Sequence, residues 1–175
     1  MSGPVLETPR LRLRPLVPED GAFVLELLNE PGWLQHIGDR GVRSLADARR
    51  YIADGPGAML ARHGVGLLAV TLKADGAPVG ICGLLRRETL PDPDLGYALL
   101  ARHTGRGYAR EACAAVLDWG ARSLGITRVL AITSQGNTAS VAVLAALGFI
   151  HRGRRRMPGE DEDVDVYSRG PEGGP

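Results

Sequence analysis

Two glycines one residue apart, Gly105 and Gly107, stand directly ahead of a helical pattern in the run Thr104-Gly105-Arg106-Gly107-Tyr108-Ala109. Glycine permits positive φ and lets a backbone approach a ligand closely. The first turn of a helix adds unpaired N–H groups and the positive end of its dipole. Together they suit an anion, a pyrophosphate above all, although a plain helix start explains the same residues. Two other phosphate loops are excluded. There is no Gly-x4-Gly-Lys-Ser/Thr sequence and no Gly-x-Gly-x-x-Gly near the first strand.

Further groups with chemical potential flank that turn. Asp94 lies upstream, where a carboxylate could take a proton from an ammonium directly or through water; it also reads as loop solvation around Pro91 and Pro93. Asn137 fits a helix N-cap, and Ser140 follows three residues on, by default a structural hydroxyl on a helix face. Glu111 suits the helix dipole or an ion pair. His36 and His103 are isolated, no His/Cys/acid cluster has metal spacing, and no metal is expected. Cys82 and Cys113 read as small core residues of a protein in a reducing compartment.

These residues need elements to hold them. Residues 11–16 alternate apolar and polar as a half-buried strand does. Pro18-Glu19-Asp20 opens a helix running to Asn29, its acids facing the dipole. Residues 31–38 read as a loop or short helix. Ser44 caps a helix with Ala48, Tyr51 and Ile52 on one face. Strands follow at 65–72 and 78–85 around Asp75-Gly76, then at 94–100. A long helix spans 107–124 and stops at Gly125; a strand at 128–133 and a helix at 137–147, stopped by Gly148, come next. Two strands, 149–156 and 163–169, flank Pro158-Gly159, and their opposite charges predict cross-strand pairs. The order β-α-α-β-β-β-α-β-α-β-β predicts a mixed α/β (α+β), mostly antiparallel sheet with helices on both faces.

Composition narrows the class. The chain has 175 residues, which suits a single domain, expected over 1–169 with a flexible tail at 170–175. Twenty-one Lys+Arg against 20 Asp+Glu leave a net charge of +1, which argues against a nucleic-acid binder. Lys73 is the single lysine, so an individual arginine carries little functional information. No secretory signal and no apolar run of about 18–20 residues is visible, so no membrane partner and a cytoplasmic location are expected.

Gly96-Tyr97-Ala98-Leu99 followed by Gly105-Arg106-Gly107-Tyr108-Ala109-Arg110-Glu111-Ala112 resembles the acetyl-CoA motif of the GNAT N-acetyltransferases. Asn137-Thr138-Ala139-Ser140 with Leu147-Gly148-Phe149 resembles that superfamily's second motif. The opening Glu7-Thr8-Pro9-Arg10-Leu11-Arg12-Leu13-Arg14-Pro15 resembles one branch, the ribosomal-protein N-acetyltransferase-like group. The similarity covers residues 7–169. The core motif, Gln/Arg-x-x-Gly-x-Gly/Ala, fits at Arg102–Gly107 by its letters, or from Thr104 to Ala109 with Thr in first place; the flanking motifs favour the second.

The resemblance implies a GNAT-like fold and a set of roles. The backbone of Gly105, Arg106, Gly107, Tyr108 and Ala109 would hold the pyrophosphate of acetyl-CoA, with Thr104 offering only a short hydroxyl. The Leu99 backbone would pair with the pantetheine arm where family strands splay, and Asn137 would contact that arm. Leu144 stands where many relatives carry an acidic Tyr, which leaves Ser140 as the substitute acid. Asp94 would be the base, at a place where relatives often carry Glu. The activity implied is transfer of an acetyl group from acetyl-CoA to a primary amine, on a protein N-terminus or a small molecule. The alternative is a non-catalytic acyl-CoA-binding module acting as a sensor or partner subunit. Homodimerisation stays open.

Overall fold

The structure is a computed structural model that describes residues 3–171. Eight strands form one sheet: β1 (Leu6–Glu7), β2 (Leu11–Pro15), β3 (Leu67–Leu72), β4 (Pro78–Leu85), β5 (Asp94–Leu99), β6 (Val129–Ser134), β7 (Ile150–Arg156) and β8 (Asp163–Arg169). Their spatial order is β1-β2-β3-β4-β5-β6-β8-β7. Every neighbouring pair is antiparallel except β5 and β6. The helices are α1 (Gly21–Leu28), α2 (Pro31–His36), α3 (Leu45–Ile52), α4 (Ala58–His63), α5 (Tyr108–Leu124) and α6 (Thr138–Ala146). The fold is thus a mixed, mostly antiparallel sheet with helices on both faces, as the element pattern predicts.

Each face follows from period-two alternation in the strands. Leu11 and Leu13 of β2, Leu68 and Val70 of β3 and Leu95 of β5 pack with Ala112, Cys113 and Val116 of α5. On the other face, Ala69 and Ile81 meet Val24, Leu27 and Leu28 of α1 and Ala48 and Ile52 of α3. Cys82 and Cys113 are buried core residues, their sulfurs 3.7 Å apart. Local chemistry sets the ends: the Ser44 hydroxyl accepts from Asp47 N at 3.1 Å, and α5 stops at Gly125 with φ +67°.

Pro31 starts a short helix, α2, one of the two readings of residues 31–38. Two features depart from the expected pattern. A two-residue strand, β1, pairs Leu6 with Leu13, too short for alternation to reveal. A π turn at Ala53–Gly57 carries the chain past Pro56 into α4, a helix that the sequence reading does not include. Asp20 takes a further role. Besides standing at the helix start, it is buried and takes both terminal nitrogens of Arg14, Nη1 and Nη2, at 2.8 and 2.9 Å, and the Val17 N–H at 2.8 Å. A buried carboxylate needs such partners, and a guanidinium fork on the adjacent strand supplies two of them.

The C-terminal hairpin pairs its charges in register: Arg156 with Asp163 at 2.9 Å and Arg154 with Asp165 at 3.1 Å. Most of the tail, residues 172–175, lies outside the described residues.

Gly80 fixes how close β4 and β5 lie. A Cβ there would stand 2.2 Å from the Ala98 carbonyl and 2.9 Å from Leu99 Cα, both backbone atoms. Gly80→Ala is expected to destabilise the protein by about 1–3 kcal/mol in urea unfolding, the usual cost of overpacking. An unchanged midpoint would mean that β5 has slack against β4.

Candidate active site

The sheet opens where its two parallel strands should zip. β5 and β6 pair at one register, Asp94 with Leu130, where Leu130 N donates to the Pro93 carbonyl at 2.9 Å. On its other edge β5 keeps its ladder to β4, continued by Leu100 N donating to Val79 O at 2.9 Å. In an antiparallel ladder, alternate residues direct both N–H and C=O to the same neighbour. The peptide groups of Tyr97 and Leu99 therefore face the gap rather than β4. The gap widens into a cleft of about 990 Å³ between α2, the start of α5, α6 and the β7–β8 loop.

At one end of the cleft lies the turn into α5. Gly105 and Gly107 have φ of +77° and +82°, a region open to glycine at little cost. The first helical bond runs from Glu111 N to Gly107 O at 3.1 Å. From residue 105 to 110 no backbone N–H has a protein partner among the described residues. Six consecutive unpaired donors at the positive end of a 17-residue helix fit a pyrophosphate. Gly105, Gly107, Tyr108 and Ala109 line the cleft, as do Leu99 and Thr104. The Thr104 hydroxyl is already used, donating to Ala101 O at 2.8 Å. The side chain of Arg106 is not on the wall, whereas Arg110, not singled out from the sequence, is.

The α6 side supplies two polar groups. Asn137 Oδ1 accepts from Ser140 N at 3.3 Å as an N-cap, which leaves its amide nitrogen unengaged beside the cleft. Ser140 Oγ lies 2.6 Å from the Tyr97 hydroxyl, which is also 3.1 Å from Ser140 O. Burial pushes the Tyr97 phenol well above the ordinary tyrosine range, and the Ser140 hydrogen bond offsets only part of that. Tyr97 is therefore a neutral donor and acceptor. Leu144 is wholly buried in the core and does not line the cleft.

Alternation puts Asp94 on the opposite face of β5 from Tyr97. Its side chain is 1% exposed, and Arg87 Nη2 approaches Oδ2 to 3.1 Å as an ion pair without hydrogen-bond alignment. Burial raises the carboxyl pKa to about 6, and the Arg87 charge pulls only partly against it. On the same side, Trp33 and His36 of α2 wall the cleft, and His36 Nδ1 lies 2.7 Å from Ser134 Oγ at the end of β6. The β7–β8 loop adds Glu160 and Glu162, neither of which has an ion-pair partner among the described residues.

Several of these residues left little trace in the sequence. Tyr97 was visible only as a motif letter, and nothing in local spacing brings it to Ser140, 43 residues away. Arg87 and α2 reach the cleft by tertiary packing. Glu111, read as a dipole or ion-pair residue, binds Arg10 at 2.8 Å. Among the described residues no group of three His, Cys, Asp or Glu could hold a metal, and no helix is long and apolar enough to cross a membrane.

The sheet thus opens at its parallel pair, beside a glycine turn into a helix, into a cleft with unpaired backbone donors at one end. Residues 10–150 match the acetyltransferase (GNAT) domain family, and the chain belongs to that family. It is 30% identical over 171 residues to the uncharacterized protein YkkB of Bacillus subtilis, covering 94% of each chain. It is 25% identical to the uncharacterized N-acetyltransferase YoaA of the same organism, covering 94% of this chain and 96% of that one. An acetyltransferase from Agrobacterium tumefaciens superposes with a TM-score of 0.82 at 29% identity, covering 98% of this chain and 96% of that one. A ribosomal-protein-S5-alanine acetyltransferase from Vibrio fischeri shares the fold, with a TM-score of 0.79 at 20% identity over 97% of each chain.

The raised Asp94 pKa has a consequence for stability. Between the ordinary carboxylate value and about 6 the folded state holds a proton that the unfolded chain has lost, so stability falls as pH rises through that window. Asp94→Asn removes the cost. It is expected to raise stability at pH 7 by on the order of 1–3 kcal/mol, with the gain vanishing near pH 4. Chemical denaturation of both proteins across that range measures it, and a pH-independent difference would contradict the raised pKa.

Proposed function

We propose that this protein transfers an acetyl group from acetyl-CoA to a primary amine. The observation that carries this reading is the β5–β6 gap, with the six free N–H groups at one end and Asp94 and Ser140 on opposite faces of the strand that forms its wall. Acetyl-CoA would supply a thioester whose carbonyl an amine can attack. The turn at 105–109 holds its pyrophosphate, and the Leu99 peptide and Asn137 amide pair with the pantetheine amides. Backbone N–H groups of β5 facing the gap meet the negative charge that develops on the carbonyl oxygen.

Proton handling divides across the strand. The amine enters on the Asp94 side as an ammonium and must lose a proton. With its side chain 1% exposed, Asp94 takes that proton across a water molecule rather than by contact. The leaving thiolate emerges on the α6 face, where Ser140 gives it a proton and is reprotonated through cleft water by the second N–H proton that the nitrogen loses as the amide forms. Tyr97 donates to the Ser140 carbonyl at 3.1 Å and can turn its one proton to Ser140 Oγ at 2.6 Å; in that second arrangement the serine proton is free to point at sulfur. Glu160 and Glu162 at the far rim favour acceptors carrying positive charge, including a peptide α-amine. Two reduced, buried cysteines support a cytoplasmic setting.

Calorimetry with CoA and turnover of acetyl-CoA against a panel of amines and peptide N-termini test the reading. Binding without turnover would instead support the acyl-CoA-binding module.

Asp94 predicts the acid limb of kcat/KM. Activity should rise as the carboxyl ionises near its pKa of about 6. In Asp94→Asn the acceptor must arrive already neutral, so the limb should move up by about one unit or more, with roughly tenfold loss per unit. An unchanged profile would reject Asp94 as the base.

Ser140→Ala should lower kcat by about 10²-fold or more while leaving the KM for acetyl-CoA nearly constant. Tyr97→Phe should act in the same direction and more weakly, because serine keeps its own proton. Equal kcat in wild type and Ser140→Ala would show that the thiolate leaves unaided.

A further inference from the structure

The N-terminal segment reaches the anion-binding turn across about a hundred residues of sequence, and it does so through one side chain. Arg10 stands just before β2 beside the first turn of α5. Its Nε donates to Glu111 Oε1 at 2.8 Å, and its Nη1 donates to the carbonyl of Arg106 at 2.8 Å. Its guanidinium lies over the Tyr108 ring, 4.5 Å from the centroid. Glu111 in turn is held by three donors: Arg10 Nε, the Arg10 backbone N–H at 3.1 Å and the Thr8 hydroxyl at 2.5 Å. The Thr8 and Arg10 hydrogen bonds outweigh the effect of burial and keep the Glu111 carboxyl below its ordinary range.

The contact with Arg106 O matters because a trans peptide is planar, with C=O and N–H pointing in opposite directions. Holding the Arg106 carbonyl toward Arg10 aims the Gly107 N–H the other way. That N–H is one of the six with no protein partner. Gly107 itself, at φ +82°, has no side chain to resist rotation of the peptide. A glycine-rich turn left alone samples several peptide orientations, and only some present their donors to one anion. We propose that Arg10, locked by Glu111 and Thr8, is a positioning residue that orients the Arg106–Gly107 peptide for the pyrophosphate of the acyl donor. This rests on the reading that residues 105–109 hold that pyrophosphate. It places residues 8–10 and Glu111 in donor recognition rather than in fold stability alone.

The sign of one substitution separates this role from simple electrostatics. Glu111 carries negative charge near an anion site, so by charge alone Glu111→Gln should tighten donor binding. If Glu111 acts by locking Arg10, the same change weakens it. Calorimetry should compare CoA with pantetheine, which lacks the phosphates, on wild type, Arg10→Gln, Arg10→Lys, Glu111→Gln and the Arg10→Gln/Glu111→Gln double variant. Each variant's thermal unfolding verifies that it is folded.

The expected result is about tenfold weaker CoA binding for Arg10→Gln and Glu111→Gln, the scale of one impaired charge-assisted hydrogen bond. The double variant should bind no worse than Arg10→Gln, since the two residues act as a unit. Arg10→Lys should lose as much as Arg10→Gln, because an ammonium cannot span Glu111 and Arg106 O together. The loss should be confined to CoA, with the CoA-to-pantetheine affinity ratio falling about tenfold. Equal loss for both ligands, tighter binding by Glu111→Gln, or full retention by Arg10→Lys would overturn the proposal while leaving CoA binding itself intact. Wild-type protein that does not bind CoA would overturn the parent reading and this one with it.

Discussion

Parallel strands exchange slanted, evenly spaced hydrogen bonds, and β5 and β6 make that exchange at one place only. Unpaired backbone groups inside a protein are costly, so an open sheet of this kind calls for a partner that can complete it. Much of the architecture serves to hold the opening. β4 keeps β5 straight on its far edge through Gly80, whose missing side chain permits the close approach. β8 pairs with β6 along six residues and holds the other lip. Helices α2, α5 and α6 border the cleft into which the divergence opens.

The same opening separates two kinds of proton chemistry. Side chains of β5 alternate across the sheet, so a carboxylate and a phenol three residues apart face opposite ways. Asp94 is buried against Arg87 with neither oxygen well bonded, and so its proton affinity rises into the range useful near neutral pH. Tyr97 points to α6 and meets Ser140. In the proposed reaction one short strand would thereby separate a basic side, where a cation would enter, from a protic side, where a thiolate would leave.

The anion turn has its own support. Six unpaired N–H groups would be an unstable arrangement without constraints, because nothing intrinsic to glycine selects one peptide orientation. Arg10, Glu111, Thr8 and Tyr108 form a compact polar and aromatic cluster on the outer side of that turn. The arginine-rich opening of the chain is therefore not uniform in role: Arg12 is exposed, Arg14 neutralises Asp20, and Arg10 braces the turn.

What the sequence determined by itself was local and periodic. Alternation marked β2, helical spacing marked α5, and Ser44, Gly125, Asn137 and Gly148 punctuated the helices, because caps and turns depend on residues within a few positions of one another. The glycine turn ahead of α5 was legible for the same reason, since a turn and the helix it opens are contiguous. Tertiary structure decided the rest. That β5 and β6 part after one residue pair is a relation between two strands far apart in sequence, and no single strand encodes it. Burial raised the Asp94 pKa, and a contact 43 residues apart in sequence gave Ser140 its Tyr97 partner. The join between Arg10 and the Arg106 carbonyl spans 96 residues. Long-range contacts of this kind arise from three-dimensional packing, and residue spacing along the chain carries no record of them.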